Sequence, residues 1–117
     1  MSPLVDPAPL HLLFSQLGGD RAVRNRFVHD FIGLWRARAQ RLHAALATAD
    51  VDEAHVVLLS IRASSNMLGA VRLENTAIAV HSALKNNDLP GCTQQLPRLS
   101  EVGTETCLAL SRHIIRG

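Results

Sequence analysis

At 117 residues the chain has the length of a single domain, typically about 100–200 residues, and a second independent core is not expected. Hydrophobic residues at 47% supply a core and argue against disorder, while 12 Lys+Arg against 10 Asp+Glu leave a formal +2, too small a surplus to indicate nucleic acid or a membrane surface. Aromatics at 3%, with no Tyr, argue against a base-stacking platform.

The basic residues are eleven Arg and Lys85. Cys92 and Cys107 form no CxxC and have no His at zinc-finger spacing; His11, His29, His43 and His113 fall on different predicted helices without i,i+4 His/Glu pairing. No cofactor, metal site or disulfide framework is expected. No apolar run approaches the roughly 18–20 residues that span a bilayer, and MSPLVDPAP lacks the basic start and apolar stretch of a signal peptide, so the chain reads as cytoplasmic, with no membrane insertion.

In chain order, residues 1–8 are expected to be extended. LHLLFSQL after Pro9 reads as a short helix stopped by Gly18-Gly19. No proline occurs between Leu10 and Leu89, so long helices are permitted there. Asp20 is placed to cap a helix from Arg21 to about Thr48, whose stripe Val23, Phe27, Phe31, Leu34, Leu42, Ala45 and Leu46 recurs at three- and four-residue steps. Trp35 is expected to pack partly buried. Gly33 is a tolerable weak point. Arg36, Arg38 and Arg41 occupy other faces, either as a solvated surface or as a rim for an acidic partner. ATADVDEA breaks that helix. Asp50 or Asp52 can cap the next, with Glu53 in its first turn, running to about Met67 with Gly69 at its end. A further helix from about Arg72 to Asn86 carries Leu73, Ala77, Val80 and Leu84. NNDLPG is turn chemistry. The last helix, from about Cys92 to Ile115, places Leu96, Leu99, Val102, Thr106, Ala109 and Ile114 on one side. Strand signals are absent. The pattern predicts an all-α, antiparallel up-down four-helix bundle with a short N-terminal helix, residues 1–117 forming one domain.

The helix over 50–67 carries an anomaly. With Ala54, Leu58, Ile61, Ser65 and Leu68 as its buried stripe, Leu59 lies beside the core and in line with His55 and Arg62, one turn away on each side. Either the helix has a wide apolar face or Leu59 belongs to an exposed docking patch.

The run Ser60-Ile61-Arg62-Ala63-Ser64-Ser65-Asn66-Met67-Leu68-Gly69-Ala70 resembles the signature of histidine phosphotransfer (HPt) domains, whose usual form is A-H-x-L-K-G-S-S-x-x-L-G-A. Leu68-Gly69-Ala70 and Ser64-Ser65 match outright. Arg62 stands at the family's lysine, Ile61 at its leucine and Ala63 at its glycine. Leu17-Gly18-Gly19-Asp20, Arg41 to Leu46, Val71-Arg72-Leu73 and Lys85 to Asp88 also resemble family segments, extending the similarity over about residues 7 to 112. The resemblance implies the same bundle that periodicity predicts.

The departure is at the phosphoacceptor. Nine residues back from Leu68, and nine forward from Asp50, is Leu59 where the family has its histidine. Leucine has no nucleophilic nitrogen, so the ordinary transfer from a receiver aspartyl phosphate is excluded. Twenty-two residues beyond, where the family commonly has Gln or Glu, stands His81. It is expected on the outer side of its helix, near Ile78 and Lys85.

The resemblance therefore implies a pseudo-phosphotransfer domain in two-component signalling: not an enzyme, but a module that binds a response-regulator receiver or a hybrid histidine kinase. Its expected surface is His55, Leu59, Arg62, Ala63, Asn66, Ile78, His81 and Lys85, in a monomer rather than a dimer. Two alternatives stand beside it. One is a working phosphotransfer protein using His81, or less readily His55. The other is a helical interaction or homodimerisation domain outside any phosphorelay.

Overall fold

A computed structural model of the chain describes residues 21–116. They form four helices: α1 (Arg21–Ala47), α2 (Val51–Leu68), α3 (Val71–Lys85) and α4 (Leu89–Arg116), and no strand occurs among the described residues. The extended start, the short helix after Pro9, its Gly18-Gly19 stop and the Asp20 cap lie outside them.

Residues 48–50, 69–70 and 86–88 connect the helices, and connections this short force each helix back along its predecessor. Each helix packs on its neighbours in sequence, α4 closes on α1, and the backbones of the diagonal pairs stand farther apart, which is the cross-section of a four-helix bundle.

Local chemistry sets the ends. The Asp50 side chain accepts a hydrogen bond from the Glu53 backbone N–H (3.2 Å), with Asp52 and Glu53 near the positive end of the α2 dipole. Gly69 terminates α2 at φ 70°, a left-handed conformation that costs glycine nothing, and Ala70 N–H reaches back to Ser65 O (2.8 Å). At α4 the helix starts three residues before Cys92, the expected start. Asp88 Oδ1 accepts from Gly91 N–H (3.0 Å), and Pro90 fits the first turn, where its missing N–H has no helical partner to lose. Pro97 sits inside α4 on an exposed position.

The α1 stripe differs from expectation. Val28, Phe31, Trp35, Leu42, Ala45 and Leu46 are buried, whereas Val23 and Leu34 are exposed. Burying Trp35 fully rotates the face by one position, and Val28 and Trp35 take the places assigned to Phe27 and Leu34. On α4, Cys92, Leu96, Leu99, Val102, Thr106 and Leu110 line the core while Ala109 is only half-buried. Thr106 Oγ1 donates to Val102 O (2.7 Å), but the Ser65 hydroxyl, fully buried on α2, has no partner.

Candidate functional site

The buried face of α2 is Ala54, Val57, Leu58, Ile61, Ser65 and Leu68. At about 100° per residue, Leu59 then projects almost opposite Ile61, away from the core. It is 54% exposed. The wide-apolar-face alternative, with Leu59 in the interior, is thereby excluded.

Leu59 is not alone. Val56 (56% exposed) and Met67 (44%) stand on the same outer side, and exposed Ala63 lies between them, so positions 56, 59, 63 and 67 make one apolar stripe at three- and four-residue steps. The expected patch included Leu59 and Ala63 but neither Val56 nor Met67. Their three- and four-residue spacing from Leu59 is a signal that the sequence itself contains.

Polar groups border the stripe on both sides. Toward α1, Arg38 Nη1 donates to Ser64 Oγ (3.3 Å), and Arg41 forms an ion pair with Glu53. This exposed pair contributes about 0–1 kcal/mol, so it orients more than it stabilises. Arg38 and Arg41 therefore meet α2, whereas Arg36 turns to the α1–α4 side and lines a concavity of about 560 Å3 with Trp35, His43 and Ser100.

Toward α3 the arrangement corrects the expectation for His81. The ring is not on the outer side of its helix: it is 2% exposed, packed between α3 and α2. Its position, four residues after Ala77 and three before Leu84, continues their core stripe, and that spacing was legible. The polar ring is tolerated because both nitrogens are bonded. Arg62 Nη1 donates to His81 Nδ1 (2.9 Å), and His81 Nε2 lies 2.8 Å from His55 Nδ1, the two rings meeting edge to face with centroids 4.9 Å apart. Burial lowers the His81 pKa below the usual imidazole value, and Lys85, His55 and Arg62 around it lower it further. A guanidinium that donates to Nδ1 needs a lone pair there, so the ring in this arrangement is the neutral form.

Of the residues expected at this face, His55, Arg62 and His81 are joined by hydrogen bonds. Leu59, Ala63, Asn66 and Lys85 are exposed, and Ile78 is half-buried on α3. No cluster of three or more His, Cys, Asp or Glu able to hold a metal occurs among the described residues, and none of their helices is long and apolar enough to cross a membrane.

No family model, characterised protein or solved structure matches the chain.

Proposed function

We propose that the protein is a phosphorelay docking module of HPt type that binds a response-regulator receiver, or the receiver of a hybrid histidine kinase, without accepting phosphate. The observation that carries this is Leu59: the position that corresponds to the phosphoacceptor is an exposed leucine at the centre of an apolar stripe, not a residue withdrawn into the core. An apolar centre with a polar rim is the anatomy of a protein interface. The rim carries positive charge, from Arg38 on one side and Arg62 and Lys85 on the other, with Arg41 paired to Glu53, which suits a partner whose own apolar face is set in acidic residues. The module would act in the cytoplasm as a monomer, occupying a receiver and denying it to phosphoaccepting partners.

The alternative that routes phosphate through His81 is weakened by the position of that ring. A buried imidazole with both nitrogens bonded offers no line of approach to an aspartyl phosphate.

The test is incubation with a panel of receiver domains, phosphorylated and unphosphorylated, reading complex formation and phosphate transfer together. At least one receiver should bind, compete with a phosphoaccepting HPt domain for the same face, and leave no acid-labile phosphate on this chain. Strong labelling of the chain would overturn the proposal, and self-association without receiver binding would replace it with a homodimerisation role.

A further inference from the structure

The contacts of Arg62, His81 and His55 determine where the imidazole protons are. A guanidinium can only donate, so His81 Nδ1, 2.9 Å from Arg62 Nη1, must present its lone pair. The neutral ring then carries its hydrogen on Nε2 and donates it to His55 Nδ1 at 2.8 Å. His55, accepting at Nδ1, carries its own hydrogen on Nε2. The polarity runs one way, from Arg62 through His81 to His55. Reversing it would set a His81 N–H against an Arg62 N–H, and so would protonating His81.

His55 Nε2 makes no hydrogen bond, yet the only buried side-chain polar atom without a partner among the described residues is Ser65 Oγ. The outward nitrogen of His55 therefore reaches solvent. It does so on α2 next to Leu59, on the side facing Arg62 and Lys85.

We infer that Arg62, acting through His81, fixes His55 as an outward N–H donor at the edge of the Leu59 stripe, a binding position for a carboxylate oxygen of the docked partner and not a nucleophile. The choice of partner rests on the docking function proposed above; the direction of the chain does not. An imidazole attacks phosphorus or carbonyl carbon through a nitrogen lone pair. Here each Nδ1 lone pair is engaged and each Nε2 bears hydrogen, so His55 is accessible without being reactive. A carboxylate, in contrast, accepts the N–H and gains from the positive charge of Arg62 and Lys85 beside it. Arg62 is a positioning residue in this arrangement: it reaches His55 only through a ring between them.

Diethyl pyrocarbonate, which acylates unprotonated imidazole nitrogens, provides the probe, applied to the full chain at about pH 7.5 with each site mapped by mass spectrometry. His29 and His43 are exposed and serve as internal references. In the wild type His55 should react at least about tenfold more slowly than these two, because its free nitrogen carries the proton. Arg62→Met removes the donor that imposes the direction. His81 can then hold its hydrogen on Nδ1 and accept from His55, exposing the His55 Nε2 lone pair, and His55 should react at the pace of His43. A wild-type His55 as reactive as His43, or one unchanged by Arg62→Met, overturns the inference. An independent reading on the wild type alone is the scalar coupling across the N–H···N bond in 15N NMR: His81 Nε2 must be the donor, and a proton residing on His55 Nδ1 overturns it equally. With a receiver that binds, His55→Gln, which keeps an N–H donor, should retain affinity that His55→Leu loses. If no receiver binds at all, the docking function fails while the acylation map still decides the direction of the chain.

Discussion

The six-membered ring of Trp35 occupies the place that a side chain on Gly103 would take: a Cβ there would lie 1.8 Å from Trp35 Cζ2 and 2.1 Å from Cε2. Glycine in a helix interior costs about 1 kcal/mol relative to alanine, so at an open position Gly103→Ala would stabilise α4. Here the indole is buried, and either its ring would have to leave its place or α1 would have to separate from α4 to admit a methyl group. Gly103→Ala is expected to lower stability by about 1–3 kcal/mol, measured by chemical denaturation. Gly33, whose Cβ direction is empty, supplies the control: Gly33→Ala should be neutral or stabilising.

The Ser65 hydroxyl is fully buried with no hydrogen-bond partner, and such a group retains its desolvation cost without compensation. Replacing it with alanine removes that cost and improves helix propensity. Ser65→Ala is therefore expected to stabilise the bundle by about 1 kcal/mol, raising the melting temperature by about 4 °C. A loss of stability would show that the hydroxyl has a partner, such as a bound water.

Much of this architecture was legible because the relevant signals are local. Asp50 with Glu53 three residues on, Gly69 after an apolar run, and the proline-free middle of the chain each specify a helix end or permit a helix without reference to the rest of the molecule. Legibility fell where two helices decide jointly. Val28 and Trp35, not Val23 and Leu34, face the core because Gly103 on α4 leaves room for the indole, which the α1 pattern cannot contain. His81 is a mixed case: its spacing continues the Ala77 and Leu84 stripe, while its polarity argues for solvent, and the donors and acceptors on α2 are what make its burial tolerable. For Leu59 the sequence leaves two readings open, and the buried stripe of its own helix decides for outward projection.

His81 also gives the stability a pH dependence of known sign. Its folded pKa is lowered by burial first, then by Lys85, His55 and Arg62, while in the unfolded chain it titrates near the ordinary imidazole value of about 6.5. As pH falls below about 6.5 the unfolded chain takes up a proton that the folded chain refuses, so this contribution to stability is intact above that value and is lost as pH drops through the folded pKa. Its slope can reach about 1.4 kcal/mol per pH unit within the window. Denaturation curves from about pH 8 to about pH 5 should show the decline in the wild type. The decline should be shallower in His81→Gln, and equal slopes would mean that folding does not lower the His81 pKa.

The two expected properties of Leu59 can be separated experimentally because they make opposite demands on one substitution. A side chain that is 54% exposed contributes little to the core, so a carboxylate there keeps most of its water and displaces no buried neighbour. Leu59→Asp should melt within a few degrees of the wild type, a change of about 0.5 kcal/mol or less. At the centre of an interface the same carboxylate would be stripped of water against an apolar surface and would face the acidic rim for which Arg62 and Lys85 are complementary. Binding should then weaken by about 2 kcal/mol or more, roughly a thirtyfold rise in Kd. Val56→Asp and Met67→Asp extend the measurement along the stripe, and their losses should be smaller, since truncation costs concentrate near the centre of an interface. A lowered melting temperature for Leu59→Asp would return the leucine to the core. An unchanged melt with unchanged receiver affinity would place the docking face elsewhere on the bundle.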